Sequence, residues 1–337
     1  MSPRDRSGGL DGVLVVAKPA GPTSHDIVGL VRRLSATRRI GHGGTLDPFA
    51  SGVLPLFLGH ATRLAEYHLA GRKAYRATVC FGESSTTDDI EGERTPAVGP
   101  APDRAAVEAL LPQFTGSLLQ RPPAYSAVKV AGRRAYALAR AGEAPELRPR
   151  SVIVHELSLV EWDASDASRP IAILDVVCSA GTYVRSLARD LGEAAGSAAY
   201  LGALTRTRAG AFTLDEAVTL DAIREAGAEG PEAVARLLLP VDAGLEAMPS
   251  VTVTAAEAGQ LAEGRFVLPS AGLGAAAGAD GPVRACEASG RLVAIASVRA
   301  GRLAPEKVLV ERGARAALPV AAARDGVAVT PGGPEGG

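Results

Sequence analysis

Asp47 closes a glycine-rich run, Gly41-His42-Gly43-Gly44-Thr45-Leu46-Asp47-Pro48, and is the strongest local candidate for chemistry in the chain. Its three glycines permit positive φ and let backbone approach a bulky ligand closely. Pro48 drives the preceding residue out of the α region, so the carboxylate is presented from extended backbone. The run is neither a GxxxxGK[ST] phosphate loop nor a dinucleotide fingerprint. What it offers is one ionised carboxylate on a shaped loop, a group that can act as nucleophile or stabilise charge without a metal or redox partner. His42, Asp47 and His60 have no metal-ligand spacing, so no metal is expected. Cys80, Cys178 and Cys286 are widely separated and form no CxxC pair. They read as inert thiols in strand-like stretches.

The elements around this loop can be read from apolar spacing. Residues 10–17 form a buried strand, stopped by Lys18-Pro19. Thr23 or Ser24 then caps a helix with Asp26 in its first turn and an apolar stripe at Ile27, Val28, Leu30, Val31 and Leu34. A strand is predicted over 53–58. Residues 73–82 alternate, with Tyr75, Ala77, Val79 and Phe81 on one face. Residues 83–102 read as a polar loop, 103–111 as a short helix, and 151–160 and 171–179 as strands. Thr182 is expected to cap a helix over 183–195 that carries Arg185 and Arg189 together on one face. Helices at 215–225 and 231–239 follow. Short β segments at 251–254, 283–287, 291–299 and 307–311 make a small second domain, interrupted by an Ala/Gly insertion at 271–281. The pattern is that of an α+β protein with a mixed, largely antiparallel sheet. It lacks the regular βαβ repeat of a doubly wound nucleotide fold.

The chain has 337 residues, 47% hydrophobic and 22% charged, which suits a folded protein of about two domains. No apolar run approaches the roughly 20 residues of a bilayer span. The first nine residues contain no apolar core of a secretory signal, so the cytoplasm is the expected location. The formal net charge is −1, from 36 Lys+Arg against 37 Asp+Glu. Position changes that picture. Residues 1–150 hold 20 basic and 14 acidic residues, and residues 151–337 hold 16 and 23. A basic half offset by an acidic one hints at a nucleic-acid face.

Several ordered motifs carry a resemblance. The run GHGGTLDPFASGVLP (41–55) resembles the catalytic motif of the TruB family of tRNA pseudouridine synthases. Val15-Val16-Ala17-Lys18-Pro19 with Gly21-Pro22-Thr23-Ser24 is similar to that family's first motif, and Lys73-Ala74-Tyr75-Arg76-Ala77 to its tyrosine motif. Residues 120–142 (QRPPAYSAVKVAGRRAYALARAG) resemble a segment of its stand-alone bacterial members. CSAGTYVRSL (178–187) resembles its arginine motif, and LGALTRT (201–207) the stretch that closes the pocket. The resemblance covers about residues 10–245 and implies a catalytic domain there. It extends more loosely to 250–312 as a PUA-like RNA-binding domain, while 1–9 and 314–337 are expected to be disordered.

The resemblance implies an isomerase that converts the uridine at position 55 of the tRNA T loop to pseudouridine. The N1–C1′ bond breaks, the base turns, and C5 joins C1′. No cofactor is required. Attack by the carboxylate on the sugar, attack on the base, and a glycal route all remain open. By resemblance Asp47 is the nucleophile, Arg185 pairs with it, and Tyr75 supports the flipped base and can relay a proton. A cation beside Asp47 is expected to lower its pKa. His42, Lys18, Leu204, Gly44 and Thr45 are the implied substrate-binding residues, with His42 holding the RNA loop open. Gly43 stands where the family often has a small side chain, which is expected to loosen the loop. Arg32, Arg33, Arg38, Arg39, Arg121, Lys129, Arg133 and Arg134 are candidate phosphate contacts. The implied partner is the T arm of tRNA, with no guide RNA, no membrane, and the protein acting as a monomer. Two other readings compete. A uridine C5 methyltransferase would need a reactive thiol in an electropositive, exposed setting, and neither Cys80 nor Cys178 has one. A non-catalytic RNA-binding or RNA-folding module would leave the Asp47, Tyr75 and Arg185 set without a task.

Overall fold

The computed structural model describes residues 9–126, 129–130, 133–135 and 147–309. Residues 1–8 and 314–337, where disorder is expected, lie outside the described residues, as do 127–128, 131–132 and 136–142 of the 120–142 segment. The chain divides into two compact units, Met1–Ala247 and Met248–Gly337.

The first half of unit one runs β1 (Gly12–Lys18), α1 (Ser24–Leu34), β2 (Ile40–His42), β3 (Ser51–Leu58), α2 (Ala65–Leu69), β4 (Lys73–Phe81), β5 (Glu83–Ser85), β6 (Arg94–Pro96) and α3 (Arg104–Leu110). Then come β7 (Gly116–Gln120), β8 (Lys129–Val130), β9 (Arg133–Arg134), β10 (Arg150–Asp163), β11 (Ile171–Cys178) and α4 (Val184–Ala194). It closes with β12 (Ala199–Ala209), β13 (Phe212–Thr213), β14 (Val218–Thr219), α5 (Leu220–Glu229) and α6 (Pro231–Ala235). The main sheet has the order β14-β1-β3-β12-β4-β11-β10-β7, with β2 on β3 and β13 on β12. β1–β14 and β3–β12 are parallel and the other pairs antiparallel, so the fold is α+β with a mixed sheet.

Local chemistry explains the central strands. β1 and β3 are almost continuously apolar because they are buried on both faces, with Leu14, Val16, Leu54, Leu56 and Leu58 fully enclosed. Pro55 interrupts β3 without harm. The side of β3 that its missing N–H would face is taken by β12 at residues 51–52 and by β2 from residue 56, and Pro55 lies between them. α1 starts with a reciprocal capping box, Thr23 Oγ1 accepting from Asp26 N at 3.1 Å and Asp26 Oδ2 from Thr23 N at 2.9 Å.

Several expectations are corrected. The polar stretch 83–102 holds the β5–β6 hairpin, whose three-residue strands are too short to show a period. Thr182 does not cap α4. Tyr183 stands at the cap without a capping side chain, and the end is tied instead by Gln120, whose Oε1 accepts from Tyr183 N at 2.8 Å. Gln120 Nε2 returns a bond to Tyr183 O at 3.0 Å. The helix expected from 215 starts at Leu220, after β13 and β14, and the one expected to reach 239 ends at Ala235.

The second unit is a four-stranded sheet, β15 (Ser250–Val253), β16 (Val283–Glu287), β17 (Leu292–Arg299) and β18 (Arg302–Val308), in that spatial order. A helix that the β reading missed, α7 (Ala255–Ala262), opens with a capping box of Thr254 and Glu257. The last strand begins five residues earlier than its apolar run suggests, because Arg302 pairs across a tight turn with Arg299. The 271–281 insertion contributes a buried Ala276 to the core formed by Val251, Leu261, Val293 and Leu303.

Candidate active site

The Asp47 loop is held by its neighbours. Leu46 N accepts no freedom: it donates to Ser24 Oγ at 2.9 Å, and that hydroxyl donates back to Leu46 O at 3.1 Å. On the other side, Gly21 N donates to Pro48 O at 2.8 Å. Buried Lys18 donates through Nζ to Pro48 O at 3.2 Å and Ala50 O at 2.6 Å. The ends of β1 and α1 therefore fix the backbone on both sides of the carboxylate. Of the three glycines in the run, only Gly44 uses positive φ, at 116°. Gly43 does not loosen the loop, since its N–H donates to Pro55 O at 2.8 Å. A Cβ there would lie 3.1 Å from the Phe57 ring, which already occupies the space.

Arg185, from the first turn of α4, is buried and meets Asp47 side-on. Its Nε lies 3.0 Å from Oδ2 and its Nη2 donates to Oδ1 at 3.2 Å. The guanidinium is otherwise committed to Asp89 Oδ2 at 3.1 Å, Thr87 O at 3.2 Å and Tyr125 O at 3.0 Å. A planar fork with five N–H groups is used on every side, which fixes the orientation it imposes on Asp47. Sequence reasoning missed Asp89. It lies in the 83–102 stretch, is 2% exposed, and accepts from Thr87 Oγ1 at 2.5 Å and Glu91 N at 3.1 Å. Its neighbour Asp88 takes Arg189 Nη1 at 2.7 Å, so the i, i+4 arginines of α4 both dock onto this loop rather than onto solvent. The adjacent acidic pair was the only local signal.

The expectation that the cation would lower the Asp47 pKa is corrected. Burial raises it above the ordinary aspartate range and outweighs Arg185, Asp89 raises it further, and Lys18 opposes. Lys18 is itself pushed down to about 8, mainly by burial, with Asp47 opposing and Arg206 assisting.

Tyr75 on β4 stands opposite Arg206 on β12, two register steps from the Ala77–Leu204 pair. Burial raises the Tyr75 pKa, so the phenol is neutral at ordinary pH. Leu204 is buried in the main core, with Tyr75 packed against that core. Arg206, also missed, is 1% exposed; its Nη2 donates to Gly44 O at 3.0 Å and Nη1 to Thr45 O at 3.3 Å. Its signal was parity, since it shares a strand face with apolar Leu204. His42 ends β2, and its buried Nδ1 has no hydrogen-bond partner among the described residues. Burial, Arg206 and His25 lower its pKa.

His60 is turned to Asp11, with Nδ1 2.9 Å from Oδ2. Among the described residues no group of three His, Cys, Asp or Glu side chains is gathered for a metal ion. Burial pushes the Cys178 thiol up to about 11 and raises Cys80 as well, the reverse of an activated nucleophile. Arg33, Arg38, Arg39 and Arg121 are exposed, and Arg32 is half-buried with Nε on Arg38 O at 3.2 Å. None of these five forms an ion pair with another described residue. Arg133 is exposed, and the backbones of Lys129 and Arg134 pair across β8–β9.

Comparison with known proteins gives a consistent result. The description "TruB family pseudouridylate synthase (N terminal domain)" matches residues 32–184. "tRNA pseudouridylate synthase B C-terminal domain" matches 185–246, and "tRNA Pseudouridine synthase II, C terminal" matches 248–310. A protein of Bradyrhizobium diazoefficiens named tRNA pseudouridine synthase B is 43% identical over 312 residues, 90% of this chain and 87% of that protein. One of the same name from Thermobifida fusca is 45% identical over 302 residues, 88% of this chain and 97% of its own length. Among solved structures, a Cbf5-Nop10-Gar1 complex contains a chain that is 25% identical, with a TM-score of 0.66, covering 90% of this chain and 86% of that one. An archaeal box H/ACA sRNP Nop10-Cbf5 complex gives the same TM-score at 24% identity, covering 92% and 90%.

Proposed function

The chain belongs to the TruB family of pseudouridylate synthases, and from that premise we propose that it isomerises uridine 55 in the T loop of tRNA, using Asp47 as nucleophile. The observation that carries the site assignment is the Asp47 carboxylate, backbone-pinned on both sides and gripped side-on by a saturated Arg185. The reaction needs a fixed anionic group beside the ribose while the base leaves, turns and returns. The N1–C1′ bond breaks, C5–C1′ forms, the C5 proton is released, and N1 takes up a proton. Atoms balance without any added reagent.

Tyr75, at the side of the pocket, supports the extruded base with its ring and takes part in the proton transfer through its hydroxyl. A uridine in a folded loop must leave its stack at a cost of a few kcal/mol. His42 and Leu204 shape the space it enters, while Lys18, Gly44 and Thr45 hold the loop that faces it. The exposed set Arg33, Arg38, Arg39, Arg121 and Arg133, with Arg32, Lys129 and Arg134, contacts the T-arm phosphates and offsets that cost. In this reading the enzyme acts on naked tRNA as a monomer, without guide RNA, and works in the cytoplasm. Its catalytic domain covers 10–245 and its PUA-like RNA-binding domain 250–312. No helix of the described residues is long and apolar enough to cross a membrane.

The test is tritium release from a T-arm stem-loop labelled at uridine C5, incubated with the purified chain alone. Release by wild type and none by Asp47→Asn supports the reading. No release by wild type, or undiminished release by Asp47→Asn, overturns it.

A further inference from the structure

We propose that Arg206 is a positioning residue for this reaction, tying the nucleophile loop to the rigid β3–β12 step beside Tyr75; the inference rests on the isomerase reading above. Arg206 is among the largest fully buried side chains of the protein. Among the described residues it has no carboxylate within ion-pair distance. Its hydrogen-bond partners are Val53 O at 2.8 Å from Nε, Thr45 O at 3.3 Å from Nη1 and Gly44 O at 3.0 Å from Nη2, and Tyr75 on β4 is its cross-strand neighbour. These three acceptors come from two separate pieces of chain, β3 and the 43–47 loop.

The backbone is built around this contact. Arg206 pairs with Gly52 in the parallel β3–β12 step and with Tyr75 in the antiparallel β12–β4 step. At Gly52, where φ is 106°, a Cβ would lie 2.2 Å from Arg206 O, so only glycine lets the two strands come this close. Gly44, at φ 116°, turns its carbonyl to the guanidinium.

A buried cation without a counter-ion is costly and is normally paired. Here three backbone carbonyls solvate it instead. The unquenched charge lies close enough to depress Lys18, His42 and Lys73 and to ease ionisation of Tyr75. During the reaction the base must turn while Asp47 and Tyr75 keep their spacing. A misplacement of about 1 Å can cost on the order of a hundredfold in rate. A guanidinium reaches the loop and β3 at once in one plane, which a lysine ammonium on a flexible stem cannot.

The experiment uses the full chain with Arg206→Lys and Arg206→Gln. Single-turnover rate and T-arm affinity are measured together with hydrogen exchange of the 43–47 amides. The expected result is a folded Arg206→Lys protein with a rate lowered by about a hundredfold and T-arm affinity within about threefold of wild type. Exchange quickens in 43–47 and not across the rest of the sheet. The proposal is overturned by a wild-type rate in folded Arg206→Lys, by a loss confined to RNA affinity, or by unchanged exchange in 43–47. It is also overturned if both variants fail to fold, which would make Arg206 a structural anchor only. An inactive wild type would sink the isomerase reading and with it the catalytic part of this proposal, while the exchange data would still show whether Arg206 pins the loop.

Discussion

Arg185 grips Asp47 along one edge, Nε at 3.0 Å from Oδ2 and Nη2 at 3.2 Å from Oδ1, and spends its remaining donors on Asp89, Thr87 and Tyr125. A carboxylate held in this way keeps one orientation while the substrate moves past it.

Replacing Asp47 by Asn keeps the shape and removes the proposed nucleophile. We expect turnover to fall by at least about a thousandfold, with T-arm affinity nearly unchanged. Single-turnover tritium release beside a filter-binding titration checks both halves.

Asp89→Asn should act through Arg185. The guanidinium keeps Asp47 but loses its buried counter-ion on the other side, so its plane is freer. The expected rate loss is roughly 10- to 100-fold, with about 1–3 kcal/mol of stability. A double-mutant cycle with Arg185→Lys measures the coupling, and simple additivity of the two rate losses would count against the shared pathway.

With Asp47 as the proposed nucleophile, its raised pKa is expected to set the acid limb of activity. The ionised form is the active one, so rate rises with pH through a midpoint above that of an ordinary aspartate. The stability linkage has the opposite sign. Between the ordinary and the raised value the folded state holds more protons, so ionising Asp47 lowers stability as activity appears. A kcat profile with its acid midpoint at or below the ordinary aspartate value would contradict the burial argument.

His68 predicts an acid-sensitive step in stability that is separate from catalysis. It is buried against Phe57 and Phe212, with ring centroids 4.9 and 5.4 Å away, and its Nε2 has no partner among the described residues. Burial pushes it down to about 4, with Glu246 opposing. The unfolded chain protonates first, so stability falls as pH drops from the ordinary histidine value towards 4, by up to roughly 3 kcal/mol. Urea unfolding at pH 7 and pH 4.5 should show a smaller difference in His68→Leu than in wild type.

Gly52→Ala should be among the most damaging small substitutions in the chain. A Cβ there meets Arg206 O at 2.2 Å and Arg206 N at 2.6 Å in a left-handed conformation. The expected loss is at least about 3 kcal/mol, seen as poor solubility or a lowered melting midpoint.

Much of the site was legible because its chemistry is concentrated in short runs. Asp47 and its loop, Thr23 as a helix cap, and the alternating strand around Tyr75 all carry local signatures. Asp89 was not legible. A polar stretch with Ser, Thr and Asp looks the same whether it is solvated or folded against a buried arginine 96 residues away. Arg206 was hidden for a related reason, since Leu-Thr-Arg-Thr-Arg fits a half-exposed strand with either face inward. The capping error at Thr182 has the same origin. The bonds that hold Tyr183 come from Gln120, 63 residues earlier, and no local spacing encodes them. What was missed is consistently the partner from far along the chain.

The strand order carries a consequence for how this enzyme comes into being. β12 lies between β3 and β4, two strands that precede it by well over a hundred residues. As the chain leaves the ribosome, Asp47 and Tyr75 emerge early, on strands with an empty slot between them. Arg185 and Arg206 arrive only after most of the first unit has been translated. The pocket therefore cannot close until that late strand threads into the middle of the sheet. A growing chain that stops short of Val184 lacks both Arg185 and Arg206, so in this reading the site is completed only late in synthesis.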